Sequence, residues 1–185
     1  MQTRKTTKNG AAHAPVPSSP NDGEKSRTTR VYLAGPLFTV MERRANRELA
    51  RLIEQEAPAI RVVLPQDLKH DDRYNDQRAF GFIFKGCVDA IDTSHCMLAW
   101  LDGPDADSGT CFEVGYAFAK GMPVIGLRTD FRSNQERGVN IMLSRACKMF
   151  VYRPSFDEDL EATARDVVRA IRKIAAKQNG KDAKA

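Results

Sequence analysis

Short apolar runs alternate with amphipathic stretches along most of this chain, and that alternation limits the fold more than any other feature. Arg30-Val31-Tyr32-Leu33-Ala34, Arg61-Val62-Val63-Leu64, Cys96-Met97-Leu98-Ala99-Trp100-Leu101, Pro123 to Leu127 and Lys148 to Tyr152 read as strands. Their near-continuous apolar character predicts burial on both faces, as in a parallel sheet. Helical periodicity fills the intervals. From Met41 to Glu56, Ala45, Leu49, Leu52 and Ile53 recur on one face, and Pro58 closes the stretch. Arg78 to Asp92 predicts a second helix, with Phe82, Cys87, Val88 and Ile91 on or near one face. A third runs from Gly109 to Lys120, and Gly121 stands where a left-handed residue ends many helices. A long last helix is expected from Ser155, its cap with Glu158 completing a capping box, to Lys177. Segments 66–77 and 128–138 read as polar loops.

Units of this length join parallel strands through right-handed crossovers. The expected fold is therefore α/β: a doubly wound, five-stranded parallel sheet with helices on both faces, flavodoxin-like or Rossmann-like. Ligands of such sheets bind beyond the carboxyl ends of the strands. Segments 35–39, 65–69 and 102–113 should meet there.

Residues 1–28 mix Pro, Ser, Gly, Asn and charge without apolar periodicity. They cannot bury enough surface to offset chain entropy and are read as a disordered tail. Residues 29–177 form a single expected domain, and 178–185 a second disordered tail. The formal charge of +5 is concentrated in residues 1–30, where Lys and Arg outnumber the acids. The remainder has no basic cluster on one face, so nucleic acid is not an expected partner.

Cys87, Cys96, Cys111 and Cys147 make no C-x-x-C pair and lie in apolar segments, as reduced thiols of a cytoplasmic protein do. His13, His70 and His95 lack metal-ligand spacing. Neither a metal nor a cofactor is expected. No apolar run approaches the roughly 18 residues of a membrane span. The basic N-terminus has no apolar core of a secretory signal, and although its composition is similar to that of a transit peptide, it reads as a solvated tail.

The densest chemical signal follows the third strand. Asp102, Asp105 and Asp107 crowd a loop, and Glu113 comes on the first turns of the next helix, between Phe112 and Val114. The backbone dipole favours a carboxylate there. Ser108, Gly109 and Thr110 place small side chains and free N–H groups where a substrate can approach. A carboxylate set in an apolar wall is partly desolvated, which suits a nucleophile toward a sugar carbon. The same residues also fit a plain helix start, with Asp107 as cap and Glu113 as a first-turn acid. Spacing alone does not separate the two.

Tyr32-Leu33-Ala34-Gly35-Pro36, Asp107-Ser108-Gly109-Thr110-Cys111-Phe112-Glu113-Val114-Gly115-Tyr116-Ala117 and Asn140-Ile141-Met142-Leu143 resemble the nucleoside 2-deoxyribosyltransferase family in order and approximate spacing. The resemblance covers residues 30–152, and its long middle motif is the specific part. It implies that Glu113 is the nucleophile and that Asp107 engages and protonates the base. It also implies that Asn140 holds the sugar's 5′ oxygen in a neighbouring subunit's site, within a homodimer or higher homo-oligomer. The implied partners are a nucleoside and a free nucleobase. The chain departs from the family pattern at Cys87, which stands where an acid or amide is usual, and a thiol does not offer the same hydrogen bonds. Asp89 lies roughly 200° further round the helix and does not replace it.

Around this centre, Tyr32, Gly35, Phe38, Gln66, Asp67, Cys87, Ser108, Gly109, Asn140 and Met142 are candidate substrate contacts. Phe38 is expected to stack on a base or line the pocket, and Gln66 and Asp67 to read base edges or to form a polar turn. Gly35-Pro36-Leu37-Phe38 is apolar and lacks one N–H, which favours a free nucleoside over a 5′-monophosphate. Arg128, Arg132 and Arg137 are either a phosphate site or a solvated loop. The expected activity is transfer of a nucleoside's sugar to another base through Glu113. The alternatives are hydrolysis of a nucleoside or 5′-monophosphate by the same nucleophile, and nucleoside binding without catalysis.

Overall fold

The computed structural model describes residues 28–68, 77–132, 138–154 and 159–182. In chain order the elements are β1 (Thr29–Ala34), α1 (Val40–Glu56), β2 (Ile60–Val63), a 3-10 turn at Pro65–Asp67, α2 (Gln77–Asp92), β3 (Cys96–Trp100), α3 (Ser108–Ala119), β4 (Val124–Arg128), α4 (Ile141–Ala146), β5 (Met149–Tyr152) and α5 (Leu160–Asp182). The strands form one five-stranded sheet in the order β2-β1-β3-β4-β5, and every neighbouring pair is parallel. This is the doubly wound, flavodoxin-like order expected from the alternation. Its connections reverse direction between β1 and β3, the point at which such sheets open a crevice for ligands.

Alternate residues of each strand feed opposite faces. Val31 and Leu33 of β1, with Cys96 and Leu98 of β3, pack under α1 and α5. Tyr32 and Ala34, with Met97 and Ala99, face α2, α3 and α4. Helix α1 buries Leu49, Leu52 and Ile53, as its period predicts. It starts at a capping box the periodicity did not show: Thr39 accepts from the Glu42 N–H, and Glu42 returns to the Thr39 N–H. Gly121 closes α3 with φ 71°, and its N–H donates to the Phe118 carbonyl at 3.0 Å.

Some expectations are corrected. Phe82 is 61% exposed, because nine residues of helix, about 900°, put it half a turn away from buried Ile91. Segment 128–138 is not all loop, since Arg128 ends β4 and is buried. Helix α4 had no counterpart in the sequence reading, being too short to display a period. The last helix begins at Leu160, where the Asp159 carboxylate accepts from the Ala162 N–H at 2.7 Å. It runs past Lys177 to Asp182, through part of the expected C-terminal tail. The expected cap at Ser155 and Glu158, the N-terminal tail up to residue 27, His70 and Arg137 lie outside the described residues. No helix among the described residues is long and apolar enough to cross a membrane.

Candidate active site

Tyr32 sits in the middle of β1 with no exposed surface. The phenol lies on the face covered by α2 and α3, and a buried phenol needs a hydrogen-bond partner. It finds one on α3: the Tyr32 hydroxyl donates to Glu113 Oε1 at 2.5 Å. Helix α3 is oriented by Asp107, its N-cap, whose Oδ2 accepts from the Thr110 N–H at 2.8 Å and from the Thr110 hydroxyl at 3.0 Å. Glu113 thus reaches from the first turns of α3 to the face of β1 at Tyr32.

Electrostatics single this carboxyl out. Burial raises its pKa from 4.5 to about 7; the Tyr32 hydrogen bond opposes the rise and the nearby Asp107 charge adds to it. Burial, followed by the Glu113 charge, pushes the Tyr32 phenol far up, so it stays a donor. Cys87, half-buried on α2, stands beside them, close enough to feel the Tyr32 hydroxyl and the Glu113 charge. Burial is the main cause of its raised pKa, so the thiol keeps its proton near neutrality. The phenolic proton goes to Glu113.

Other candidates lie around this trio with different engagements. Gly35 ends β1, and a Cβ there would stand 3.3 Å from Trp100 Cβ, so a side chain would crowd the strand ends. Phe38 is 72% exposed. Gln66 is drawn into a clamp on the turn after β1: its amide donates to the Arg43 carbonyl at 2.9 Å, and Asn46 bridges its Oε1 and the Pro36 carbonyl. Asp67 pairs with Arg47 at 2.8 Å on the surface. Ser108 and Gly109 are exposed on the first turn of α3.

Asn140 and Met142 are not in this cluster. Asn140 caps α4 by accepting from the Met142 N–H at 2.9 Å. Both line a groove of about 730 Å³ with Cys111, Val114, Gly115 and Phe118 of α3. Those α3 residues lie roughly 100–200° round the helix from Glu113, so Asn140 faces away from its own chain's Glu113.

Arg128 serves neither as a phosphate site nor as a solvated loop residue. It is 1% exposed, and its guanidinium donates to the carbonyls of Leu101 at 2.6 Å, Gly103 at 3.1 Å and Arg132 at 3.2 Å. Arg132 pairs with Asp130 and holds that carboxyl well below the usual range. Asp102 accepts from Trp100 Nε1 at 2.8 Å, from the N–H groups of Thr129 and Asp130 at 2.7 and 3.0 Å, and from the Thr129 hydroxyl. This network fixes the β3–α3 loop against the end of β4. The sequence reading missed it; a tryptophan and an arginine closing otherwise aliphatic strands were its available signal.

Among the described residues no group of His, Cys, Asp and Glu is arranged to hold a metal ion. What the arrangement offers is a half-buried carboxylate with one strong donor, a neutral phenol and thiol behind it, and a second carboxylate on the same helix start.

Comparison with known proteins adds three findings. The profile of the family described as Nucleoside 2-deoxyribosyltransferase matches residues 31–142. An uncharacterized protein of Ureaplasma parvum serovar 3 is 28% identical over 124 residues, spanning 60% of this chain and 77% of that protein. Among solved structures, a conserved protein from Enterococcus faecalis V583 is 29% identical with a TM-score of 0.58, covering 75% of this chain and 98% of that one. A 2-deoxyribosyltransferase from Bacillus psychrosaccharolyticus (20% identity, TM-score 0.57) covers 74% of this chain and 90% of its own. A 2-desoxiribosyltransferase from Leishmania mexicana (21%, 0.52) covers 74% and 97%. At the identity of the last two, the likeness is one of fold.

Proposed function

This chain belongs to the nucleoside 2-deoxyribosyltransferase family, and from that premise we propose that Glu113 attacks the sugar of a nucleoside, releases its base and passes the sugar to a second base. The single observation that carries this reading is the 2.5 Å hydrogen bond from buried Tyr32 on β1 to Glu113 Oε1 on α3. That bond fixes one carboxylate oxygen, and among the described residues no hydrogen bond engages Oε2, the oxygen proposed to attack.

In the first half-reaction Glu113 Oε2 bonds to the anomeric carbon as the carbon–nitrogen bond breaks. The base departs with the bonding pair and takes a proton. Asp107 is the proposed donor through Oδ1, since the hydrogen bonds it receives among the described residues fall on Oδ2. In the second half a nitrogen of the incoming base attacks the same carbon, Glu113 leaves as carboxylate, and the proton returns to Asp107. Two displacements retain configuration. Water in place of the second base gives hydrolysis. The engagement of Arg128 and Arg132 within the protein favours a free nucleoside over a 5′-monophosphate. Asn140, directed away from its own Glu113, is proposed to serve the site of a neighbouring copy.

The test is product analysis. A 2′-deoxynucleoside incubated with a different free base should yield the exchanged nucleoside, and mass spectrometry should find a sugar adduct on Glu113. Free sugar without exchange at saturating acceptor would replace transfer with hydrolysis. Binding with no turnover and no adduct would leave a non-catalytic nucleoside-binding protein.

A further inference from the structure

At the opposite end of the sheet, where β4 and β5 begin, lies a hollow of about 490 Å³. Phe118, Met122, Met149 and Ile174 give it apolar walls drawn from α3, the turn before β4, the start of β5 and the last turns of α5. Arg145, Lys148 and Lys177 stand around it, and no acid lines it. None of these three cations has a carboxylate within ion-pairing distance among the described residues. Elsewhere Arg47, Arg51, Lys85, Lys120, Arg132, Arg153 and Arg169 do.

Helix ends point their carbonyls this way, which by itself disfavours an anion. Those of α3 are occupied: the carbonyls of Tyr116, Ala117 and Phe118 accept from Lys120, Met122 and Gly121. Three full charges then outweigh the partial charges that remain. The volume falls within the range of small-molecule sites, roughly 300–1,000 Å³, which combine apolar walls with a few polar groups.

We propose that this hollow is a second binding site, for a small amphiphilic anion: a carboxylate or phosphate ester head at Arg145, Lys148 and Lys177, with an apolar body against Met122, Met149 and Ile174. It lies at the amino ends of the strands, whereas Glu113 stands on the first turns of the helix that follows the carboxyl end of β3, so an occupant does not compete with a nucleoside.

Octanoate, octylammonium and 1-octanol are suitable probes on the full chain, with 13C-methyl methionine as reporter. Octanoate should saturate at one per chain and shift the Met122 and Met149 methyls while leaving Met41 and Met97 in place. Octylammonium should bind at least tenfold more weakly. The Lys148→Glu/Lys177→Glu protein should lose octanoate affinity by at least tenfold, and the single Lys148→Glu change covers the case in which the double variant does not fold. Equal binding of the cation and the anion, affinity indifferent to charge reversal, or no saturable shift at Met122 and Met149 would each overturn the proposal. None of these readouts depends on the activity proposed for Glu113.

Discussion

Asp102 and Glu113 are both carboxylates at the same end of the sheet, on either side of one loop, yet the protein treats them in opposite ways. Asp102 receives donors from Trp100, Thr129 and Asp130 and ties two loops together. Glu113 receives a donor from Tyr32 and sits where burial drives its pKa to about 7. A saturated carboxylate is a structural joint, because all its lone pairs already have partners. A carboxylate with one donor in a desolvated wall keeps a free oxygen that is reactive when ionised. The crowd of acids after β3 therefore divides by its hydrogen bonds rather than by its position in the sequence.

The sharpest way to break this contrast is at Glu113 itself. Glu113→Gln should reduce sugar exchange by at least about a thousandfold, as loss of a nucleophile does, while the fold survives. Its stability should also change with pH in a defined direction. The native state raises the pKa of Glu113 from 4.5 to about 7, so it binds this proton more tightly than the unfolded chain. Stability is then lost as pH rises through that window. Between pH 5 and pH 8 the parent should lose more melting temperature than the Gln variant. Equal losses would mean that Glu113 is not desolvated.

The structural cluster should fail in the opposite sense. Arg128→Met leaves the carbonyls of Leu101, Gly103 and Arg132 without their donor. It should cost about 3–5 kcal/mol of stability, the scale for breaking a buried charged network, measurable by urea unfolding. A variant of unchanged stability that loses only activity would place Arg128 in the site instead.

Much of the scaffold was legible because it rests on local periodicity. The runs at β1 and β3 and the spacing of Leu49, Leu52 and Ile53 follow from burial alone, and those give the sheet and its helices. The stretch from Asp107 to Glu113 stood out as well, although spacing alone did not separate a plain helix start, with Asp107 as cap and Glu113 as a first-turn acid, from a catalytic pair. The Tyr32–Glu113 bond joins residues 81 apart, and no spacing rule connects a mid-strand phenol to a helix carboxylate. Arg128 was hidden for a related reason: its carbonyl partners come from turns whose shape only the tertiary fold sets. Asn140 lies before a helix too short to announce itself, so its outward direction became visible only with α3 and α4 in place.

A smaller effect isolates the donor. Tyr32→Phe removes one hydrogen bond to a charged group, worth about 1.5–3 kcal/mol. If that much of the bond is gained only in the transition state, exchange should slow by roughly ten- to a hundredfold. Because the bond to Tyr32 lowers the Glu113 pKa against the effect of burial, its loss should also move the acid limb of the kcat/KM profile upward. A slower enzyme with an unmoved limb would indicate packing damage rather than loss of the donor.

The smallest expected effect tests the residue that departs from the family pattern. In the proposed mechanism Glu113 must be ionised to attack, so kcat/KM should fall on the acid side with a limb near its pKa of about 7. Cys87 stands behind Tyr32 and close enough to feel the Glu113 charge, and burial keeps its thiol protonated near neutrality. A carboxylate at this place would do two things at once: repel the Glu113 charge and compete for the Tyr32 proton. Both raise the Glu113 pKa. Cys87→Asp should therefore shift the acid limb upward, with Cys87→Ser leaving it near its original position because a hydroxyl is also uncharged. If the limb stays fixed in an active Cys87→Asp protein, the thiol does not help set the nucleophile's charge. If it moves, the neutral side chain at Cys87 is one of the means by which this chain keeps Glu113 ionised near neutral pH.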